Sequence, residues 1–165
     1  MKFADVPSGE SVFLDANLFV YHFAPHPALG PTCTQLIERI EDKEVIALTS
    51  THVLSEVAHH LMTFEASQRF GWPTKIVERL KQKPTQIQQL TTFRLAIDQV
   101  PQMGIQVMTI TVPHLSAAAA VSQQHGLLSN DALLIALMQA HGITNLASND
   151  VDFDRVPGIK RYSPA

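Results

Sequence analysis

Cysteine is almost absent. Cys33 stands alone in 165 residues, which excludes an internal disulfide and every cysteine-rich zinc module, and accords with a reducing compartment. No apolar run approaches the ~20 residues a membrane-spanning helix needs; the alanine-rich stretch from Ser116 to Val121 is short and flanked by His114 and Gln123. The N-terminus lacks the unbroken apolar stretch of a secretory leader, being interrupted by Asp5, Pro7, Gly9 and Glu10, so the expectation is a cytoplasmic protein with no membrane insertion. A basic excess is missing too. The formal net charge is −3, so any contact with nucleic acid must use local patches. No G-x-G-x-x-G follows an apolar run and no glycine-rich triphosphate loop occurs, which removes dinucleotide and P-loop chemistry from consideration.

What is present is apolar material for a sizeable core, 45% of residues, in a length that suits one domain over 1–165. Four short apolar runs end in polar residues and predict buried strands: Val12 to Leu14 before Asp15, Val45 to Leu48 before Thr49, Val107 to Ile110, and Asn145 to Ala147 before Ser148. Helical spacing lies between them, at Leu36, Ile37 and Ile40, at Val53, Leu54, Val57, Ala58 and Leu61, and at Leu133, Leu134, Leu137 and Met138. Pro31 and Pro113 sit where helices start, Gly126 and Gly142 where they stop. Strands alternating with helices predict an α/β fold of three layers, α/β/α, around a parallel sheet.

The stretch at about 63–103 departs from the alternation and reads as a helical insertion with two helical patterns separated by Pro73 and Pro84. It holds Arg69, Lys75, Arg79, Lys81, Lys83 and Arg94 against Glu65, Glu78 and Asp98, a net +3 that leaves −6 for the rest of the chain. Such an imbalance is either a basic surface beside an acidic cleft or an ordinary solvated face.

In open parallel sheets ligands bind beyond the carboxyl ends of the strands. Asp15, with Asn17 two residues on, and Asp150 follow predicted strands; Glu56 lies one to two turns into the helix after the second; Asp131 opens the helix that carries Leu133 to Met138. Taken singly each has a plainer reading, Asp131 as an N-cap, Asp15 or Asp150 as a turn former, Glu56 as a solvent-facing residue. Together they predict convergence. Two carboxylates ~5 Å apart repel by about 3 kcal/mol at an effective dielectric near ~20, and no lysine or arginine lies close in sequence to Asp15, Glu56 or Asp131. A divalent cation on oxygen ligands, Mg²⁺ or Mn²⁺, is the natural counter-charge, and with it comes phosphodiester hydrolysis.

The run Val12-Phe13-Leu14-Asp15-Ala16-Asn17-Leu18-Phe19-Val20-Tyr21 resembles the opening motif of PIN domains, VapC-like toxin ribonucleases among them. Ser55-Glu56-Val57 is similar to the family's second acid, Asp131-Ala132-Leu133-Leu134-Ile135-Ala136 to the helix opening with its third, and Ser148-Asn149-Asp150-Val151-Asp152-Phe153 to its closing Thr-x-Asp-x-Asp-Phe element, with serine for threonine. The resemblance implies a Mg²⁺- or Mn²⁺-dependent ribonuclease in which Asp15, Glu56, Asp131 and Asp150 are catalytic and bind metal, supported by Asn17 and Ser148. It also implies an RNA substrate, homodimerisation and an antitoxin protein as partner. Asp152 and Asp154 stay outside the set, as further acids or as turn caps.

Rival chemistries fit less well. Glu56 and His59 form a Glu-x-x-His step, but a di-iron bundle needs a second one and none occurs; His59 and His60 read as packing or surface residues. An aspartyl-phosphate enzyme starting from Asp15 lacks the second acid, since Asn17 occupies its place. The alternative of another class is a catalytically inactive PIN-like module that binds RNA or protein.

Overall fold

A computed structural model describes residues 1–165. Its strands are β1 (Ser11–Leu14), β2 (Ile46–Ser50), β3 (Gln106–Met108), β4 (Asn145–Ala147) and β5 (Lys160–Tyr162). They form one sheet in the order β3-β2-β1-β4-β5, parallel throughout. The connection from β1 to β2 holds α1 (Ala16–Phe23) and α2 (Gly30–Glu41). That from β2 to β3 holds α3 (Thr51–Phe70), α4 (Ile76–Gln82), α5 (Pro84–Ile87) and α6 (Thr92–Gln99), and that from β3 to β4 holds α7 (Val112–His125) and α8 (Ser129–Ala140). The first two crossovers step outward from β1 and the third steps back across it. Right-handed connections therefore put α1 to α6 on one face and α7 and α8 on the other; α1 packs on α2, α3 and α6, and α7 on α8. These are the three layers the alternation predicted.

The sheet's centre is apolar because it is covered twice. Val12, Phe13 and Leu14 are fully buried, and Phe13 stands in register between Leu48 of β2 and Leu146 of β4. One strand escaped the sequence pattern. β5 is an edge strand in which Lys160 is exposed, Arg161 half-buried and Tyr162 alone buried, and an exposed lysine is the charged protection expected of an edge. The helix α1 was also not foreseen, because its apolar run directly continues β1. Asp15 divides the two: its backbone is extended and its carboxylate accepts from the N–H of Ala16, starting the helix.

Other boundaries shift. β2 runs on to Ser50, whose hydroxyl caps α3, and β3 ends at Met108 rather than Ile110. The insertion does not begin at 63, since α3 continues unbroken to Phe70 and is stopped by Gly71 in the left-handed conformation (φ 64°). Beyond it lie three short helices, with Leu90 between α5 and α6, where the sequence pattern suggested two. They close on a small cluster of Ala66, Trp72, Leu80 and Leu90, apart from the 40-residue core around the sheet. No helix is long and apolar enough to cross a membrane.

Candidate active site

The strand order reverses between β1 and β4, and that switch point is where a doubly wound sheet opens a crevice. The segments leaving these two strands are tied together there. The N–H of Asp15 donates to the carbonyl of Ala147 at 3.1 Å. The Asp15 carboxylate accepts from the Ala16 N–H (2.6 Å), from the Asn17 side-chain amide, and from the Ser148 hydroxyl (2.6 Å). Ser148 is completely buried, and its oxygen also accepts from Asn17 Nδ2 at 3.2 Å and from the Asp150 N–H at 3.0 Å. Its one donor and both lone pairs are thus used. Asn17 Oδ1 accepts from the N–H of Asn149 at 3.1 Å.

Asp15, Glu56, Asp131 and Asp150 line one cavity of about 310 Å³, together with Ala16, Asn17, Val20, Tyr21 and His60. The four acids come from four segments: the end of β1, the second turn of α3, the first turn of α8, and the loop after β4. Asp131 is the third residue of α8, whose N-cap is Leu128, so the capping reading of Asp131 is ruled out. Asp15 and Asp150 do cap, α1 and the short 3₁₀ turn Val151–Arg155 respectively, and line the cavity as well. No three His, Cys, Asp or Glu side chains are arranged to hold one ion directly.

The acids sense one another. Burial pushes the Asp15 carboxyl up to about 6 despite its hydrogen bonds to Ser148 and Ala16, and the charges of Glu56 and Asp131 push the same way. Asp131 is also raised, by burial first and then by Asp150, Glu56 and Asp152, with Arg155 opposing. A cationic partner missed in the sequence is therefore present: Arg155 pairs with Asp152 at 2.5 Å. Arg161 likewise holds Asp154 at 2.7 Å and donates to the carbonyl of Ser148. Asp152 and Asp154 are thus ion-pair partners, and neither lines the cavity.

Other site residues came to light only in three dimensions. Asn130 donates its amide to Glu56 Oε1, and His52 Nε2 lies 3.8 Å from the same oxygen. His60 is a surface residue, as expected, and lines the cavity as well; its i+4 spacing from Glu56 was the available signal. Tyr21 forms another wall, and its hydroxyl accepts from Asn149 Nδ2 at 3.4 Å.

Comparison with known proteins agrees with this fold. The chain is 27% identical over 146 residues to the ribonuclease VapC2 of Methanocaldococcus jannaschii, covering 88% of each chain. It shares its fold with VapC20 of Mycobacterium tuberculosis, a sarcin–ricin-loop-cleaving toxin, at a TM-score of 0.62 and 21% identity over 87% of this chain and 93% of that one. A toxin–antitoxin complex from Klebsiella pneumoniae has the same fold, with a TM-score of 0.58 and 17% identity over 93% and 98%. The PIN domain model matches residues 12–159, from within β1 to the residue before β5. On that match the chain belongs to the PIN-domain family.

Proposed function

We propose that this protein is an endoribonuclease that hydrolyses RNA phosphodiester bonds with Mg²⁺ or Mn²⁺, and that it is the toxin of a toxin–antitoxin pair. The observation that carries the reading is a cavity walled by four carboxylates with no lysine or arginine in its lining. With all four ionised, Arg155 tempers Asp131, and a cation from solution would offset the rest of their repulsion. Asp15, Glu56, Asp131 and Asp150 would hold it, while Asn17 and Ser148 fix the Asp15 carboxylate and Asn130 that of Glu56. An all-oxygen donor set suits Mg²⁺ or Mn²⁺, and Mg²⁺ takes only one or two carboxylates directly and completes its shell with water, so an open ring of acids fits it. When bound, the ion activates a water toward phosphorus and stabilises the leaving oxygen. His60, at the cavity wall one turn beyond Glu56, would donate a hydrogen bond to a phosphate oxygen.

RNA as substrate is supported by the relative named a ribonuclease and by the cations on the helical segment, where Lys75, Lys81 and Lys83 are exposed. The fold relative solved as a toxin–antitoxin complex supports an antitoxin partner. Homodimerisation is supported by the outer face of α7, where Val112 and Leu115 are 77% and 52% exposed; Leu115→Lys is expected to yield monomers in sedimentation, and an unchanged mass removes that face from the interface. Cleavage of a structured RNA pool with Mg²⁺ or Mn²⁺ tests the activity. Asp15→Asn and Asp131→Asn should each lower the rate by about 10³-fold or more, equivalent to the several kcal/mol such an ion contributes; variants that cut like the parent would overturn the assignment. The rival, a module that binds RNA or protein without cutting, predicts no cleavage by the parent.

A further inference from the structure

A second cavity, of about 510 Å³, opens on the other side of Tyr21, between the end of α1, the α1–α2 loop and the start of α2. Tyr21 lines both this cavity and that of the carboxylates. We propose that the cavity walled by Tyr21, His26, Gln35 and Glu38 is a subsite for a single nucleobase of the RNA, next to the phosphate being cut. The inference rests on the ribonuclease reading for its substrate and on separate residues for its evidence.

Charge decides against a phosphate. The lining holds no lysine or arginine but includes Glu38. Burial holds His22 below the usual histidine range, so it stays uncharged at neutral pH, although Glu41 and Glu38 pull the other way. The start of α2 offers little to an anion in this cavity: Gly30 N–H donates to the carbonyl of His26, Cys33 N–H to that of Leu29, Pro31 has no N–H, and Thr32, whose N–H is left over, does not line the cavity. What remains suits a flat, uncharged group with polar edges. The Tyr21 and His26 rings lie 5.1 Å apart at 58°, and such rings are the surfaces on which unpaired bases stack. Gln35 and Glu38, both exposed at the rim, make no side-chain hydrogen bond within the protein. A carboxylate only accepts; the one edge donor of uracil, N3–H, is flanked by two carbonyl oxygens that repel a carboxylate, so Glu38 favours bases with an exocyclic amino group (adenine, cytosine, guanine) over uracil.

The cavity is built in advance. Pro25, Pro27 and Pro31 restrict the loop, and His26 Nδ1 accepts from the N–H groups of Ala28 and Leu29, which leaves the ring proton on Nε2. A Cβ at position 30 would meet the Tyr21 carbonyl oxygen at 3.0 Å, so Gly30 lets the loop close against Tyr21.

Sequencing the ends produced from a random single-stranded RNA pool tests the assignment. At one position beside the cut, uracil should be disfavoured roughly three- to tenfold, the size of one net hydrogen bond, and the double variant Gln35→Ala, Glu38→Ala should flatten that bias alone. In parallel, adenosine, cytidine and uridine are titrated without metal into Asp15→Asn protein and the His22 and His26 ring resonances followed. Adenosine and cytidine should shift them, and the added rim substitutions should abolish the shift. Cleavage with no bias and no shift overturns the base site and leaves the ribonuclease reading standing. Shifts in the Asp15→Asn protein beside a parent that never cuts leave the base site and overturn the ribonuclease.

Discussion

The carboxylate end of the sheet and the helical segment from 71 to 103 carry opposite charge on supports of very different size. The acids project from strand ends and helix starts anchored in a core of 40 buried residues. The cations ride on short helices around a cluster of four, and two of them serve that cluster: Arg79 and Lys83 lie 5.7 Å and 5.5 Å from the centre of the Trp72 ring. The difference teaches which charges are costly. Repelling carboxylates can be held near one another only by a scaffold with stability to spare, whereas exposed lysines need little more than a helix to stand on.

The sharpest way to break the comparison is pH. Burial pushes the Asp15 carboxyl from its ordinary 3.8 in the unfolded chain up to about 6 in the folded one, so between these values the folded state binds more protons. The contribution of Asp15 to the stability of the metal-free protein is therefore full below pH ~4 and is lost as pH rises through ~6, a fall of up to about 3 kcal/mol. Urea melts across that range should show the fall, and Asp15→Asn should flatten it; equal slopes would mean that burial does not strain this carboxylate. Next comes the cation itself. At ~100 times its dissociation constant Mn²⁺ should add about 2.7 kcal/mol to the parent and nothing to Asp15→Asn, by thermal unfolding at fixed pH. A gain of equal size in both would move the ion away from Asp15.

Ser148→Ala should lower metal affinity or cleavage about 10- to 100-fold, the usual effect of removing a group that orients a metal ligand, because the hydroxyl donates to Asp15 and holds the Asp150 N–H. Rescue by Ser148→Thr, which restores the hydroxyl, separates orientation from folding. The smallest effect belongs to the helical segment: Lys81→Glu should weaken RNA binding at all sequences and reduce the salt slope by about 1. Lys81 is the cleaner probe there, since reversing Arg79 or Lys83 would also strip a cation from Trp72. An unchanged slope would return the segment to an ordinary solvated face.

Much of the cavity was legible because its acids obey local rules. Asp15 and Ser148 follow apolar runs that could only be buried strands, and Glu56 and Asp131 sit at helical registers that periodicity reveals. Where local rules are silent, so was the sequence. β5 is mostly charged because it lies at an edge, and α1 hides in the continuation of β1. Asn130, exposed and next to Asp131, gave no sign that it would reach Glu56 across 74 positions. Arg155 lies far in sequence from Asp131 yet tempers its charge.

The sequence by itself determined the alternation of strands and helices, the order of the acids and the excess of cations between 63 and 103, since hydrophobic period and turn chemistry act over a few residues. Only the tertiary structure decided that four acids face one cavity and that Tyr21 separates it from a second. It also decided that Asp152 and Asp154 are spent on arginines. The shared cavity depends on strand order and on crossover handedness, which bring together side chains more than a hundred residues apart, and no local pattern records such distances; the arginine pairs are close in sequence but turn on how the chain folds after β4.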